Sequence, residues 1–323
     1  MRFASFATFS HYQDHLWPLI EELRSRGHTV DALSPWRNAD WAEYRHPDQL
    51  AAMGDVVWLT ASAMDAKRVP GPTVYLEHGA GQTYEADERG HAHKSYSTGR
   101  IDNALLYLCP NFFVYTRRRR AHPEVPAVCV GSPRLDAYPV GHHEAVERAV
   151  AFVFHWDCEV VPETRSAFDH YVNDMLRIGL ELRRNGYLPV AHAHPRISKR
   201  VRHHLGGRGF DLWDIDDVMT KAAVLVADNT SVLYEFAHVD RPIVVLNAPW
   251  YRRDVHHGLR FWEVIPGVMV DEPDQVIGAV RRSLDSDPGA LVRRNAASVV
   301  FPLQDGATAS RACDVIELAA GRL

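Results

Sequence analysis

The chain has 323 residues, of which 46% are hydrophobic and 24% are charged, a balance typical of a globular protein with room for two domains. Its formal net charge of −5 argues against a dedicated nucleic-acid-binding protein, because such proteins are usually basic. The 4 cysteines form no CxxC pair and predict no structural zinc site, and no run of apolar residues is long enough to predict a transmembrane helix.

Apolar strands and amphipathic helices alternate along the first half of the chain. A short strand over 2–9 precedes a helix whose apolar side chains recur on one face, and Gly27 is suited to end that helix. Further strands are predicted at 28–34, 55–61, 72–79, 112–116 and 127–133. This alternation predicts an α/β domain with a doubly wound parallel sheet.

A second α/β half follows a polar, turn-rich stretch at 137–150. Strands are predicted at 149–156, 187–195, 209–214, 222–228 and 242–247, with helices between them and amphipathic helices over 273–323. We therefore expect two domains, 1–145 and 146–323, with the last helix free to pack back on the first domain. Because open α/β folds bind ligands at the carboxyl ends of their strands, we expect a cleft between the two sheets.

The stretch "ADNTSVLYEFAHVDRP" (227–242) places polar residues where a buried strand meets a helix. A helix N-terminus offers free N–H groups, and the hydroxyls of Thr230 and Ser231 add donors, so the junction is suited to hold a phosphate. The alternative is an ordinary N-cap formed by Asn229 or Thr230. Asp228 is expected to shape the turn.

His192 and His194 alternate along one predicted strand and so face the same way. They are interpreted as a metal pair, as a phosphate ligand at the strand end, or as two half-buried histidines. A metal is disfavoured because no acidic third ligand stands at a suitable spacing, and we expect no metal site. Arg196 and Arg252 are the basic residues expected to add charge neutralisation at the phosphate, and the sequence does not choose between them.

His78 follows a predicted buried strand and precedes Gly79 and Gly81. A histidine with open backbone around it suits a general base near neutral pH, although the glycines alone are also consistent with a tight turn.

A run of four arginines occupies 117–120. It is interpreted as a solvated run or as a contact for an anionic acceptor, a membrane surface or DNA, with Arg117 and Arg118 as the candidate anion contacts.

These motifs, taken in order, resemble the CDP-glycerol glycerophosphotransferase family, which includes the teichoic acid primases and polymerases. "LEHG" (76–79) resembles its His-Gly motif, "VGSPRLDAY" (130–138) its Gly-x-Pro-Arg-x-Asp signature and "HAHPR" (192–196) its His-Pro motif. The segment 224–246 resembles its Asp-x-Ser-Ser…Phe-Glu…Arg-Pro block, and "IPGVMVDEPDQV" (265–276) the Pro-Gly segment that follows. Asn229 and Thr230 stand where the family usually has Tyr and Ser.

The resemblance implies a GT-B architecture, with two Rossmann-like domains and a transferase site between them. It implies that His78 is the base on an acceptor hydroxyl, and that His194 and the 228–231 junction, including Asn229, hold the diphosphate of the donor. Glu235 matches an acidic position that can bind a sugar or ribose hydroxyl. The implied donor is a CDP- or UDP-linked nucleotide acting as substrate, with no further cofactor.

The acceptor is left open among a polyol phosphate, a glycan and modified DNA. Alternative hypotheses are a glycosyltransferase acting on hydroxylated bases of DNA, a nucleotide-sugar epimerase, and a nucleotide-binding module without enzymatic activity. We expect a cytoplasmic protein, with peripheral attachment to the inner membrane face as a further option.

Overall fold

The computed structural model of the chain describes residues 1–82, 101–141, 148–159, 161–254 and 259–323. These residues form two compact units. Unit 1 contains the described residues up to Ala137 together with Phe301–Leu323, and unit 2 contains the described residues of Tyr138–Val300. The division therefore falls a few residues before the boundary predicted near 145, and the C-terminal segment is part of unit 1.

Unit 1 is built on a parallel sheet of seven strands, in the order β3-β2-β1-β4-β5-β6-β7. The strands are β1 Arg2–Phe6, β2 Thr29–Ser34, β3 Glu43–Tyr44, β4 Val57–Thr60, β5 Thr73–Leu76, β6 Ala104–Cys109 and β7 Ala127–Cys129. Its helices are α1 Ser10–Ser25, α2 Ala63–Ala66, α3 Phe112–Ala121 and, from the C-terminal segment, α10 Thr308–Ala320. Short 3-10 turns occupy Pro47–Met53 and Pro133–Ala137.

The core of unit 1 joins the two ends of the chain. Leu16, Leu19 and Ile20 of α1 are fully buried against a cluster that includes Cys313 and Ile316 of α10. On the adjoining surface, the Arg26 guanidinium hydrogen-bonds carboxylates of α10. Packing of an apolar stripe against a helix from the other end of the chain explains why the last helix belongs to the first unit.

Unit 2 is built on a second parallel sheet of six strands, in the order β10-β9-β8-β11-β12-β13. The strands are β8 Ala149–Phe154, β9 Leu188–Ala193, β10 Asp211–Leu212, β11 Val224–Ala227, β12 Ile243–Leu246 and β13 Val268–Val270. The helices are α4 Phe168–Arg184, α5 Ser198–Leu205, α6 Ile215–Lys221, α7 Val232–His238, α8 Val276–Ser286 and α9 Ala290–Val300. Short 3-10 turns occupy Pro162–Thr164 and Pro273–Gln275.

Every residue of β8 and β11 is buried, which fits strands covered on both faces in a parallel sheet. β13 was not predicted. It can lie beside β12 because Gly267 precedes it, and a Cβ there would come within 2.3 Å of the Ile243 carbonyl oxygen.

The strand predicted at 112–116 is wrong. These residues begin helix α3, and the sixth strand of unit 1 is instead β6. Asn111 is the N-cap, since its side-chain oxygen accepts the backbone N–H of Val114 at 3.0 Å. Val114 and Arg118 form the buried side of the helix, four residues apart, and this spacing is helical.

Candidate functional site

His78 lies just beyond the carboxyl end of β5 in unit 1. It is half-buried, and its ring centre is 5.0 Å from that of Tyr12 and 5.8 Å from that of His15. Its Nδ1 atom is buried and has no hydrogen-bond partner among the described residues. A neutral imidazole can accept the proton of a hydroxyl through whichever ring nitrogen that hydroxyl reaches.

The residue before His78 is part of a buried ion pair. Glu77 Oε2 accepts a hydrogen bond from Arg118 Nη2 at 2.8 Å, and the side chains are 7% and 1% exposed. The Arg118 guanidinium also lies 4.8 Å and 4.9 Å from the ring centres of Tyr75 and Tyr107. Burial acts to raise the pKa of Glu77, but the Arg118 and Arg117 cations outweigh it, so the pKa is lowered and Glu77 is ionised.

The loop that follows His78 is held by α3. Asn111 is fully buried and donates from Nδ2 to the Ala80 carbonyl oxygen at 2.9 Å while capping the helix. Gly81 has φ +74°, and a Cβ there would come within 2.1 Å of Val114 Cγ2. Close approach of loop to helix therefore requires glycine at this position.

His15, on α1, was missed by the sequence prediction. It is 6% exposed, and burial, followed by the positive charges of Arg134, His78 and His11, lowers its pKa well below the usual value. His15 is therefore uncharged at neutral pH and adds no positive charge beside His78. Because His15 lies one helical turn before Leu19 on the inner face of α1, the sequence pattern predicts its burial. The pattern does not predict that His15 lies beside His78.

Two side chains of the Gly-x-Pro-Arg-x-Asp signature interact with other elements of unit 1. Arg134 is 7% exposed, and its positive charge helps to lower the pKa of His15. Asp136 accepts the backbone N–H of Ala309 at 2.8 Å and a hydrogen bond from Gln304 Nε2 at 2.8 Å. The aspartate of this signature therefore anchors the start of α10.

Of the predicted anion contacts in the arginine run, Arg118 does not fit the structure. Its guanidinium is buried among two tyrosine rings and Glu77, so it stabilises the fold instead of facing an acceptor. The Arg117 side chain is 9% exposed, with Nη2 3.9 Å from the same Glu77 carboxylate. Only Arg119 and Arg120 of the run are exposed.

In unit 2, Asp228 joins the carboxyl end of β8 to the start of α4. Its Oδ1 accepts the backbone N–H of His155 at 2.8 Å, and its Oδ2 accepts the Ser166 hydroxyl and the Ala167 N–H, each at 2.8 Å. Asp228 is 0% exposed, and burial raises its pKa to about 6 against the effect of these three donors. Asp228 therefore shapes the junction from within.

The polar residues after Asp228 differ in accessibility. Asn229 is 0% exposed and donates to the Thr164 carbonyl oxygen at 3.3 Å, so the predicted contact between its side chain and the donor does not fit. Glu235 is 2% exposed and Thr230 is 7% exposed. Ser231 is half-buried, and its hydroxyl lies 3.5 Å from Glu235 Oε1. Ser231 is therefore the side chain of this junction best placed to meet a ligand.

His192 and His194 have different hydrogen-bond partners. The strand β9 ends at Ala193, and His192 Nδ1 lies 3.1 Å from the Trp213 carbonyl oxygen, which satisfies that ring nitrogen. His194 follows the strand, and its Nδ1 accepts the Arg196 backbone N–H at 3.2 Å. This acceptance places the proton of a neutral His194 on Nε2, which makes Nε2 a donor.

His155, directly after β8, is a second residue that the sequence prediction missed. Its ring centre lies 6.2 Å from that of His194, and the Arg196 guanidinium lies 4.4 Å above the ring of the neighbouring Trp156. Burial, followed by the charge of Arg260, lowers the pKa of His155 to about 3. The sequence could have indicated His155 in the way it indicated His78, because both lie at the end of a predicted strand.

Within the described ranges, no group of three or more His, Cys, Asp or Glu side chains is arranged to hold a metal ion. No helix in the part of the chain that the structure describes is both long and apolar enough to cross a bilayer.

Comparison with known proteins bears on the family. Residues 166–318 match the model of the CDP-glycerol:poly(glycerophosphate) glycerophosphotransferase family. No curated protein sequence matches the chain.

Solved structures share the fold across the whole chain. A variant of the wall teichoic acid polymerase TagF superimposes with a TM-score of 0.71 at 14% identity, covering 99% of this chain and 89% of that one. A complex of S. aureus MnaA with UDP gives a TM-score of 0.65 at 13% identity, covering 100% of this chain and 97% of that one. A UDP-GlcNAc 2-epimerase from Methanocaldococcus jannaschii gives 0.59 at 12% identity, covering 98% and 100%.

These matches confirm the GT-B fold class that the motifs predict, with two parallel sheets. The family match, together with the fold shared with TagF, also supports a transferase enzyme. The resemblance to the CDP-glycerol glycerophosphotransferase family is therefore confirmed, through a family match over residues 166–318 and a fold shared with TagF.

Proposed function

We propose that this protein transfers a glycosyl or glycerophosphoryl group from a CDP- or UDP-linked donor to an acceptor hydroxyl. Unit 2 binds the donor diphosphate, and His78 of unit 1 removes the proton of the hydroxyl. The observation that carries the proposal is the placement of His78 and His194 just beyond the ends of parallel strands, β5 and β9, where α/β folds bind ligands.

On the donor side, His194, Arg196 and Ser231 supply hydrogen bonds and positive charge. The Nε2–H of a neutral His194 donates to a phosphate oxygen, and the Ser231 hydroxyl adds a second donor. Arg196 is exposed and held above Trp156, so its charge offsets that of a diphosphate without being committed to a buried carboxylate. Donors fixed before the reaction stabilise the diphosphate as it leaves.

Two other residues act around this group. Thr230 lies at the start of the same turn, where its hydroxyl is 3.4 Å from the Val232 backbone N–H, and it orients the turn toward the phosphate. Glu235 Oε1 accepts the Ser231 hydroxyl at 3.5 Å, and when that hydroxyl turns to the phosphate the carboxylate accepts a hydroxyl of the donor in its place. Both roles extend the residue assignments implied by the family resemblance.

On the acceptor side, His78 has two neighbours that bring no net charge. His15 is uncharged, and the Glu77 carboxylate is paired with the Arg118 guanidinium. His78 can then take the proton of an acceptor hydroxyl through a ring nitrogen as the hydroxyl oxygen forms its new bond. The nucleoside diphosphate or monophosphate leaves with the electron pair of the broken bond.

The neighbouring structures make an epimerase the second candidate, since UDP-GlcNAc 2-epimerases share the fold. Epimerase chemistry needs free carboxylates, whereas Glu77 is paired with Arg118 and Asp228 accepts three hydrogen bonds. The transferase is therefore favoured. Incubation of wild-type protein with a UDP-sugar and no acceptor discriminates the two, because only an epimerase converts the sugar under that condition.

The donor side is tested by thermal shift with CDP, UDP, CDP-glycerol and UDP-sugars. A donor present at a hundredfold excess over its Kd stabilises the wild type by about 2.7 kcal/mol. We expect His194→Ala to lose most of this shift, and His203→Ala, which removes an exposed histidine of α5, to keep it. Equal shifts in all three proteins would contradict the donor assignment.

A further inference from the structure

A cavity of about 420 Å³ opens beside the first turn of α1 in unit 1. Three aromatic residues line it, Phe9, Trp36 and Trp41, together with the polar Ser10 and Asn38. Apolar walls combined with a few polar groups are the usual composition of a small-molecule site. No residue assigned above to donor or base chemistry lines this cavity.

The aromatic wall is exposed and yet held in place. Trp36 is 51% exposed, but its Nε1–H donates to the Thr8 carbonyl oxygen at 2.6 Å, which fixes the indole at the cavity edge. Phe9 is 37% exposed and packs edge-on against Tyr12 at 6.0 Å. Large aromatic faces left open to solvent in a fixed orientation are suited to stack on a flat apolar surface of a ligand.

The lining carries no charged side chain among the described residues. Two arginines near the lining already have partners within the protein. Arg68 donates to the hydroxyl of the lining residue Thr8 and lies 3.7 Å from Asp65, and Arg37 lies over the Tyr44 ring at 4.4 Å. The Ser10 hydroxyl and the Asn38 amide suit a phosphate or a hydroxyl oxygen alike. The two tryptophans favour a sugar, because the C–H face of a sugar ring covers more of a flat indole than a short linear polyol does.

The cavity is connected to the candidate base by ring contacts. Phe9 at the cavity edge touches Tyr12, and the Tyr12 ring centre lies 5.0 Å from that of His78. Phe9, Tyr12 and His78 therefore form a continuous row of ring contacts from the cavity edge to the imidazole. Helix α1 contributes to both places, since Ser10 lines the cavity while Tyr12 and His15 lie beside His78.

We infer that this cavity is an acceptor subsite for a neutral saccharide, with Trp36 and Trp41 stacking on sugar rings and Ser10 and Asn38 binding hydroxyls. The inference rests on the proposed function, and it deepens it by naming the acceptor class. It selects a glycan over a polyol phosphate. Trp36 and Trp41 are specificity residues, while the chemical step remains with His78.

Saturation-transfer NMR with cellobiose and chitobiose tests the inference without any donor or turnover. We expect wild-type protein to saturate the disaccharide ring protons, and Trp36→Ala and Trp41→Ala to lose about tenfold or more in affinity. Trp17→Ala is the matched control, because Trp17 is a 39% exposed tryptophan of α1 that hydrogen-bonds Glu21 and does not line the cavity. Trp36→Phe, which keeps an aromatic face, should retain part of the binding.

Binding that is equal in the wild type and both tryptophan variants would overturn the inference, as would binding of glycerol 3-phosphate with none of either disaccharide. A matching kinetic result is a rise of about tenfold in the acceptor KM of Trp41→Ala with kcat nearly unchanged. If the wild type binds disaccharide through Trp36 and Trp41 but transfers no group from any donor, the proposed function fails while the subsite stands.

Discussion

Arg118 donates a hydrogen bond to Glu77 at 2.8 Å in the interior of unit 1, between the rings of Tyr75 and Tyr107. Glu77 directly precedes His78, and Arg118 is on α3, the helix whose N-cap also holds Ala80. The ion pair thus fastens the end of β5 to α3 on one side of the candidate base. Because the pair is neutral as a unit, it positions His78 without adding net charge next to it.

Removal of one partner of this pair should be costly. Arg118→Met leaves the Glu77 carboxylate buried with only the more distant Arg117 cation, and we expect a loss of about 3–5 kcal/mol in the free energy of unfolding. The double variant Glu77→Gln/Arg118→Met removes both charges and should recover part of that loss. Urea unfolding of the wild type, the single variants Glu77→Gln and Arg118→Met, and the double variant measures it, and strictly additive effects would show that the pair is not coupled.

Asn111 should matter for the rate in addition to the stability that its buried hydrogen bond to Ala80 contributes. Asn111→Asp keeps an acceptor for the Val114 N–H and so keeps the helix cap, but it replaces the donor to the Ala80 carbonyl with an oxygen. The loop carrying His78 then shifts, and small displacements of a catalytic group cost up to about a hundredfold in rate. We expect kcat for transfer to fall by about 10- to 100-fold with donor affinity unchanged. An unchanged kcat would show that the Ala80 contact does not position His78.

Asp228→Asn should destabilise unit 2 although it conserves shape. Both oxygens of Asp228 accept hydrogen bonds, so the amide group of asparagine must face either the His155 N–H or the Ser166 and Ala167 donors. We expect a loss of about 1–3 kcal/mol in the free energy of unfolding. Chemical denaturation followed by tryptophan fluorescence measures it, and a variant as stable as the wild type would contradict the three-donor arrangement.

The pKa shifts of His155 and Asp228 act in opposite directions on stability. His155 has a folded pKa of about 3, so between pH 6.5 and 3 the unfolded chain binds the proton and the folded chain does not, and acidification destabilises. Asp228 has a folded pKa of about 6, so between pH 6 and 3.8 the folded chain binds the proton first, and acidification stabilises.

The two effects therefore offset one another between about pH 6 and pH 4, and removal of one exposes the other. We expect Asp228→Asn to lose stability on acidification more steeply than the wild type, by up to about 1.4 kcal/mol per pH unit in this window. His155→Gln should shift the slope in the opposite direction. Parallel profiles of unfolding free energy against pH for the three proteins would contradict both assignments.

The sequence was sufficient to predict the alternation of strands and helices and the two parallel sheets, because buried parallel strands are continuous apolar runs. It failed at 112–116, where "FFVYT" has strand-like composition but follows an N-cap asparagine. The overriding interaction is tertiary, since Arg118 must point inward to Glu77 and only helical spacing places it beside Val114 on the buried side.

For the candidate site, residues at strand ends were predictable and their partners were not. His78 and His194 stand out by position, whereas His15 is brought beside His78 by the packing of α1. Asn229 was expected to contact the donor and Arg118 an anion, but both side chains are buried and bond to other protein groups. Which polar residues face a ligand depends on contacts distant in sequence, such as those between Asn229 and Thr164.

The central claim concerns His78 as the base for transfer. The most direct test compares donor binding and single-turnover release of the nucleotide product for wild type, His78→Ala and His46→Ala, the last being an exposed histidine of unit 1. We expect His78→Ala to lower the transfer rate by about 10²- to 10⁴-fold with donor affinity unchanged, and His46→Ala to match the wild type. A His78→Ala protein that transfers at the wild-type rate, or that loses donor binding and transfer equally, would contradict the claim.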